Sequence, residues 1–312
     1  RIPGFVNSAS GVFMFKSEIV KGLFFAFAGF LLFSLGDAAA KYLSQRYAVP
    51  EILFWAQIYA LAGLFTLALI KHDRILDMYK TRNLKLHLTR GIILGGQVFF
   101  TFYAFSQLSL AQAYTFIFTA PLFATLITTL WLKEKTSLLS WVILLIGFSG
   151  ILVILRPGFS TISPGHISAL LAGIIFALGY VIGRRIGSEP SPLTLGIYPA
   201  SCTFVFAMIY MILTNTSLAP PPLPDTGFMI FLGLSSVGGI LFLSWAFNLA
   251  PVPAVSSFHY TQILWGTLLG YIFFGDSLDM WTAIGAVLII GSGLALNLRI
   301  GRGRVAKAKP VS

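Results

Sequence analysis

Residues 110–132 read LAQAYTFIFTAPLFATLITTLWL, an apolar run without Lys, Arg, Asp or Glu. A helix needs about 20 mainly apolar residues to cross the roughly 30 Å hydrocarbon core of a bilayer, and this run is long enough. The whole chain has the same character, because 57% of its 312 residues are hydrophobic and only 10% are charged. Soluble domains carry about 25% charged residues, so the composition excludes an ordinary soluble enzyme, a disordered chain and a disulfide scaffold. The sequence predicts an all-α integral membrane protein.

Apolar runs bounded by charge, proline or turn residues predict ten transmembrane helices. They cover residues 20–43, 51–70, 89–107, 110–132, 139–155, 165–185, 194–213, 226–249, 252–274 and 277–299. Two boundaries, at 107–112 and 248–253, are so short that neighbouring spans could be mistaken for one long helix. Pro251 and Pro253 favour a break at the second, since proline lacks a backbone N–H and disfavours helix in the residue before it.

The basic residues test this count, because Lys and Arg accumulate in short loops on the cytoplasmic side of a membrane. With ten spans and a cytoplasmic N-terminus, that side holds eighteen of the 21 basic residues, and the opposite side holds Lys41, Arg46 and Arg156. We therefore expect residues 1–19 and a basic tail, 300–312, in the cytoplasm. The net charge of +11 is then a topological signal that meets lipid headgroups, and we expect no nucleic-acid partner.

The two halves of the chain are similar at an offset of 142 or 143 residues. The matching positions are Tyr103-Ala-Phe-Ser106 with Trp245-Ala-Phe-Asn248, Thr119 with Thr261, Glu134 with Asp276, Leu35-Gly36 with Leu178-Gly179, and Lys41 with Arg184. Each half, residues 20–156 and 165–299, therefore predicts a five-helix unit. Because five is odd, the second copy enters the membrane from the opposite side. Such inverted repeats can alternate access to a site near the midplane.

The repeated positions resemble the EamA-type branch of the drug/metabolite transporter superfamily. Residues 107–123, QLSLAQAYTFIFTAPLF, followed by Leu132-Lys-Glu134, are similar to its fourth-helix signature. Residues 249–265, LAPVPAVSSFHYTQILW, followed by Phe274-Gly-Asp276, are similar to the second-half counterpart. The resemblance covers residues 22–297 and implies a ten-helix carrier of the cytoplasmic (inner) membrane, with a cavity lined by helices 1, 3, 4, 6, 8 and 9. It implies secondary transport of a small polar metabolite, with amino acids or their derivatives favoured.

Two positions depart from the family pattern. Gln57 stands where the family usually has Arg, and Phe258-His259-Tyr260 stands where many relatives have an acidic residue. The first change removes a buried positive charge, and the second replaces a permanent anion by a titratable imidazole. The coupling chemistry of relatives is therefore not carried over at either position.

Asp37 is the one carboxylate well inside a predicted span, where a charge is costly and usually functional. It could bind a cationic substrate group or a proton, which makes protons a candidate coupling ion. Lys41 follows one helical turn later, so the two side chains could instead neutralise each other at the rim. The sequence leaves both alternatives open, and both residues are predicted to belong to the substrate site.

His259 lies near the middle of the ninth span with Gln262 one turn later on the same face. A histidine at this depth indicates a ligand or proton role, or else a hydrogen-bonded core residue. Metal binding is not expected, because no second His, Cys or carboxylate stands beside it at ligand spacing. The other predicted substrate-binding residues offer aromatic faces or hydrogen bonds, and each could instead serve packing; they are Gln57, Gln97, Thr101, Tyr103, Tyr114, Phe118, Tyr180, Trp245 and Tyr260.

Three other functions are weaker alternatives. The stretch from Gly36 to Leu43 resembles family members that take up S-adenosylmethionine. Gly147-Phe-Ser-Gly150 matches the G-x-S-G motif of intramembrane serine proteases, with His259 available as a base, but the motif is short. A scramblase-like or structural membrane role is the third. We expect no enzyme activity and no cofactor. The sequence contains no Walker-type glycine loop, so no ATP site is predicted.

Overall fold

The computed structural model describes residues 8–70, 78–131, 137–156, 161–186, 193–216 and 218–307, with side chains for all of these except 8–17, 184, 252, 253 and 297–307. Glu134 and the Arg184 side chain, which the repeat pairs with Asp276 and Lys41, lie outside this description. The described residues form helices and turns and contain no strand. The helices are α1 (Ser8–Leu43), α2 (Val49–Ile70), α3 (Leu84–Gln107), α4 (Leu110–Ile117), α5 (Ala120–Trp131), α6 (Leu138–Leu155), α7 (Pro164–Ile186), α8 (Thr194–Leu213), α9 (Leu223–Leu249), α10 (Val252–Ser257), α11 (Thr261–Phe274) and α12 (Met280–Lys307).

Eight stretches in the described part of the chain are long and apolar enough to cross a membrane. One of them, Leu110–Trp131, combines α4 and α5, and a shorter apolar helix, Met280–Leu296, belongs to α12. These helices confirm the all-α membrane protein that the composition predicts. The count of ten spans and the cytoplasmic placing of both termini stay predictions.

Both short boundaries in the predicted span pattern are helix breaks in the structure. Leu108 and Ala250 have extended backbones, so α3 and α9 each end there. Ser109 then caps α4, because its side chain accepts a hydrogen bond from the backbone N–H of Gln112 at 3.2 Å. Pro251 precedes α10 and cannot continue the preceding helix.

The fourth and ninth predicted spans are interrupted near their middles, although the sequence predicts continuous helices there. In the fourth span, α4 ends at Ile117 and α5 begins at Ala120. Pro121 contributes to this interruption, because it lacks the N–H that the carbonyl of Ile117 would accept. In the ninth span, a 3-10 turn, Phe258–Tyr260, separates α10 from α11.

A threonine marks each interruption at the same position of the repeat. The Thr119 hydroxyl donates to the carbonyl oxygen of Phe116 at 2.6 Å. The Thr261 hydroxyl donates to the carbonyl oxygen of Phe258, also at 2.6 Å. Such side-chain donors compete with backbone N–H groups for helical carbonyls. The two halves therefore share a local structure that their similar sequences encode.

Helix packing is also related between the halves. Helix α1 packs on α9, and α7 packs on α3. Helix α2 packs on α9, and α8 packs on α3, while α2 contacts α8 and α6 contacts α12. The repeat relates α1 to α7, α2 to α8, α3 to α9 and α6 to α12. Under this correspondence, each of these contacts has an equivalent contact in the other half or is its own equivalent.

Contacts between helix ends show that corresponding helices run in opposite directions. Lys41, near the end of α1, contacts Leu108 at the end of α3. Arg46, just after α1, contacts Asp225 in the first turn of α9. Helix α3 therefore ends at the face of the bundle where its counterpart α9 begins, and this face is called the Lys41 end below. Helix α6 likewise ends beside the start of its counterpart α12.

Candidate functional site

The two interruptions contact each other inside the bundle. Phe118 follows α4, and its ring lies 4.6 Å from the ring of His259 in an edge-on arrangement. The same Phe118 ring lies 5.4 Å from that of Tyr260. Irregular backbone at membrane depth is tolerated only where protein or a cavity covers it, and carriers build substrate sites from such interrupted helices. These breaks therefore mark the candidate site.

His259 is surrounded by phenyl rings from three other segments. Phe30 of α1 stacks on the imidazole at 4.9 Å and an interplanar angle of 20°. Phe176 of α7 contacts the imidazole edge-on at 6.0 Å, in addition to Phe118. Gln262, the second residue of α11, is buried one turn after His259. The imidazole is only half-buried, so it remains available to a ligand within this aromatic box.

Asp37 is the second polar residue of the candidate site, after His259. It lies about two helical turns from Phe30 on the same face of α1. Its Oδ2 accepts a hydrogen bond from the buried Tyr114 hydroxyl at 2.6 Å. The Tyr114 ring can lie against α11 because residue 266 is glycine: a Cβ there would lie 2.5 Å from Tyr114 Cδ2. Ser34, one turn before Asp37, is fully buried, and its hydroxyl donates to the carbonyl oxygen of Phe30 at 3.0 Å. Three helices, α1, α4 and α11, therefore position this carboxylate.

Lys41 does not neutralise Asp37, which was one alternative left open by the sequence. Its Nζ lies 2.6 Å from Oδ2 of Asp276 and donates to the carbonyl oxygen of Leu108 at 3.0 Å. The ammonium also lies 4.9 Å from the ring centroid of Phe274. Among the described side chains, Asp37 therefore has a phenol rather than a cation as its partner.

The polar residues predicted on α3 largely satisfy each other. Gln97 Nε2 donates to Thr101 Oγ1 at 2.7 Å. Next to this pair, a Cβ at Gly96 would meet no atom within 4 Å, so α3 borders open space there. Tyr103 is half-buried against the core, and Gln57 is half-buried on α2. The contacts of the aromatic box and of Asp37 include neither of these two residues.

Tyr180 and Trp245 also lie outside the cluster, with exposed fractions of 60% and 44%. Gly179 of α7 packs against Leu94, and the next residue of a helix points about 100° away from such a contact. Trp245 directly precedes the buried Ala246 of α9, and its ring contacts Phe25 at 5.3 Å. The structure thus does not bring these two aromatic side chains to His259 or Asp37.

The protease alternative finds no assembled catalytic group in the described residues. The Ser149 hydroxyl donates to the carbonyl of Ile146 in its own helix at 2.7 Å. His259 instead contacts the phenyl rings of the aromatic box. The described part of the chain also contains no group of three His, Cys, Asp or Glu residues that could hold a metal ion.

Sequence reasoning did not identify three residues that the structure brings to these groups. Phe30 had a readable signal, because it precedes Asp37 by seven residues and so shares its helix face. Asp276 had one too, through its repeat relation with Glu134. Phe176 had none, since the chain contains 29 phenylalanines and most serve packing or face lipid.

The sequence model described as the EamA-like transporter family matches the chain twice, at residues 20–156 and 163–298. The chain belongs to the EamA-like transporter family. The resemblance read from the sequence is thereby confirmed. Together with the apolar helices, it also confirms a multi-pass protein of the cytoplasmic (inner) membrane.

Several relatives in this EamA-like family are named as transporters. An uncharacterized transporter of Helicobacter pylori (strain ATCC 700392 / 26695) is 27% identical over 91% of this chain and 96% of its own length. An S-adenosylmethionine uptake transporter of Rickettsia prowazekii (strain Madrid E) is 25% identical over 84% of this chain and 87% of its own length. A riboflavin transporter of Vibrio cholerae serotype O1 is 24% identical over 88% and 92%. One solved structure, titled "Crystal structure of protein", shares the fold with a TM-score of 0.61 at 22% identity over 91% of this chain and 98% of its own.

Proposed function

We propose that this EamA-like protein is a secondary active transporter that moves a small polar organic metabolite across the cytoplasmic membrane by alternating access. The observation that carries the proposal is the contact between two interrupted spans, Phe118 against His259 and Tyr260. About two helical turns away lies Asp37, whose hydrogen-bond partner among the described side chains is the Tyr114 hydroxyl. The transporter relatives support the same class of function.

The opposite directions of corresponding helices support a two-repeat mechanism with ten spans. Two inverted five-helix units, residues 20–156 and 165–299, can tilt against each other and open the central site first to one side and then to the other. Asp37 is suited to couple this motion to its load, because a charged carboxylate in a membrane interior is costly until a proton or a cationic group neutralises it.

Amino acids or their derivatives are the substrate class we favour. An ammonium group would bind Asp37 and Tyr114, and the remainder of the molecule would extend toward the aromatic box. Seven residues of helix separate Asp37 from Phe30, so the two groups lie about 10 Å apart along α1. A larger cation with a planar ring, such as S-adenosylmethionine, would span both groups, which makes it the second candidate. Its support is this separation together with the Rickettsia relative.

A thermal-stabilisation screen tests the proposal, because a ligand that binds the folded carrier raises its melting temperature by mass action. We expect a zwitterionic or cationic metabolite to stabilise the purified protein, with amino acids, S-adenosylmethionine and adenosine as probes. The Asp37→Asn variant should lose at least about tenfold in affinity, since hydrogen bonds to charged groups contribute about 1.5–3 kcal/mol. Glu18→Gln, which removes an exposed carboxylate of the same helix, is the matched control.

Uptake by proteoliposomes then distinguishes transport from binding. Accumulation of the stabilising metabolite should depend on an imposed proton gradient if Asp37 carries the coupling proton, and Asp37→Asn should abolish that dependence. Stabilisation by lipids alone, with no uptake of any probe, would favour a scramblase-like or structural role. Fluorophosphonate labelling that requires Ser149 would instead restore the protease alternative.

A further inference from the structure

The charge pattern places three basic residues, Lys41, Arg46 and Arg156, on the side of the membrane opposite the cytoplasm. Each of them pairs with a carboxylate from the other half of the chain. The three pairs are Lys41 with Asp276 at 2.6 Å, Arg46 with Asp225 at 3.2 Å and Arg156 with Asp279 at 3.7 Å. Each cation lies in the first half and each carboxylate in the second. These contacts therefore join the two halves at one end of the bundle.

The Lys41 pair differs from the other two in the burial of its cation, although Asp225, the partner of Arg46, is more buried than Asp276. The side chain of Lys41 is 10% exposed, whereas those of Arg46 and Arg156 are 56% and 37% exposed. Exposed ion pairs are weakened by solvent and salt, but a buried pair is not, and its separation leaves charges that must find water or new partners. Of the three cations, the Lys41 ammonium is therefore the one that loses most when its pair separates.

The local sequence after α11 directs Asp276 toward Lys41. Gly275 has a φ of +66°, a left-handed conformation that favours glycine. The chain then folds back, because the N–H of Asp276 donates to the carbonyl of Gly270 at 3.0 Å and the N–H of Gly275 to that of Tyr271 at 3.2 Å. This helix ending holds the carboxylate over the last turn of α11.

Lys41 joins three segments through one ammonium group. It lies on α1, donates to the carbonyl of Leu108 between α3 and α4, and contacts Asp276 after α11. The helices α1, α4 and α11 are also those that position Asp37 and Tyr114. Lys41 stands one turn closer to the helix end than Asp37, so it lies between the candidate site and the Lys41 end.

We propose that Lys41, Asp276 and the carbonyl of Leu108 form a latch that closes the Lys41 end of the transport path and opens in each transport cycle. This inference rests on the proposed transport function. It assigns Lys41 to the closure of the path rather than to the substrate. Opening requires the ammonium to leave both acceptors, which lets α1 separate from α11 and from the α3–α4 connection.

Thiol labelling at Ser34 tests the latch. Cys202 is the single cysteine, so a Cys202→Ser background allows Ser34→Cys to be the only reactive thiol. Ser34 is fully buried, one turn deeper than Asp37, and a maleimide reaches it only when the bundle opens. We expect the double variant Lys41→Met, Asp276→Leu, which leaves no unpaired buried charge, to label at least about tenfold faster. Lys21→Met, which removes an ion pair within α1 alone, should leave the rate unchanged.

An unchanged labelling rate in a double variant that keeps the parent's melting temperature would overturn the latch. Faster labelling in a protein whose parent transports none of the probes would show that the Lys41 contacts hold this end closed but would contradict the proposed function, and the opening of the latch in each transport cycle would be lost with it. Unchanged labelling together with intact transport by the parent would remove the latch alone.

Cross-linking gives a second test with a separate pair of substitutions. Lys41→Cys with Asp276→Cys in the Cys202→Ser background should be joined by a short bis-methanethiosulfonate reagent, which replaces the reach of the Lys41 side chain and holds the latch closed. We expect uptake to fall at least about tenfold on cross-linking and to recover with reductant. Glu18→Cys with Lys21→Cys, both on α1, is the control pair and should leave uptake unchanged. Complete cross-linking of the latch with full uptake would overturn the proposal.

Discussion

The carboxylate of Asp37 is stabilised by a phenol inside the membrane, and this choice of partner has a measurable consequence. Replacing Tyr114 by Phe keeps the ring on α11 but removes the donor at 2.6 Å from Asp37. Loss of one partner of a buried hydrogen bond costs about 1–3 kcal/mol, so we expect a lower melting temperature for Tyr114→Phe.

A double-mutant cycle separates this hydrogen bond from general packing. The cost of Tyr114→Phe should shrink by about 0.5 kcal/mol or more when Asp37 is already Asn, because residues in contact are not additive. Additive costs in the cycle would show that the Tyr114 hydroxyl does not stabilise Asp37.

Asp279 allows a prediction of pH dependence, because it precedes the apolar helix Met280–Leu296, although the sequence pattern begins the tenth span at 277. Its carboxylate accepts hydrogen bonds from the N–H groups of Trp281 and Thr282 at 3.0 and 3.1 Å and from the Thr282 hydroxyl. Asp279 thereby caps the start of α12. Partial burial raises the pKa of Asp279, but these hydrogen bonds and Arg156 outweigh it, so the pKa lies below the usual 3.8.

When folding lowers the pKa of a carboxyl group, the ionised group stabilises the folded protein. This stabilisation is complete above the pKa of the unfolded chain and is lost as the pH falls through the pKa of the folded protein. We therefore expect Asp279→Ala to cost about 0.5–2 kcal/mol near pH 7, as for other helix caps. The difference in melting temperature from the parent should narrow below about pH 4. A constant difference from pH 7 to pH 3 would contradict a role for the ionised carboxylate.

At the scale of helices, the close packing of α4 on α11 fixes the position of Tyr114. A methyl group at residue 266 would overlap the Tyr114 ring, and overpacking of this kind costs about 1–3 kcal/mol. We expect Gly266→Ala to lower both the melting temperature and the affinity for the transported metabolite. Gly291→Ala is the control, since a Cβ at Gly291 meets nothing within 4 Å, and it should be neutral or slightly stabilising. Equal behaviour of the two variants would show that the Tyr114 contact does not matter.

Helix positions were readable from the sequence because apolar length and prolines determine where a chain can cross a membrane. The breaks at Leu108 and Ala250 follow from such local signals. The interruptions within the fourth and ninth spans do not, because a single proline is tolerated in a membrane helix and the second interruption contains none. They coincide with the hydroxyl bonds of Thr119 and Thr261, but serines and threonines make the same bonds inside uninterrupted helices, so a linear pattern does not reveal the breaks.

The candidate site was partly readable for a related reason. Asp37 and His259 stand out because polar groups are rare at their depth. The partners of these residues come from distant segments: Lys41 meets Asp276 across 235 positions of sequence, and the i, i+4 spacing to Asp37 suggested a different pair. Tyr180 illustrates the reverse case, since it occupies the repeat position of Asp37 and is nevertheless 60% exposed. Similar halves therefore share helices and packing but differ in the chemistry that they carry.

For the whole molecule, the charge pattern and the ion pairs predict which side of the membrane the latch closes. If eighteen basic residues face the cytoplasm, the Lys41 end faces outward, and so does the connection between α8 and α9. In the Cys202→Ser background, Asn215→Cys should then react with a membrane-impermeant maleimide on intact cells. Arg82→Cys, on the exposed connection before α3, should react only after permeabilisation. The opposite labelling pattern would place the Lys41 end in the cytoplasm, and the latch would then close the cytoplasmic side of the path rather than the outer side.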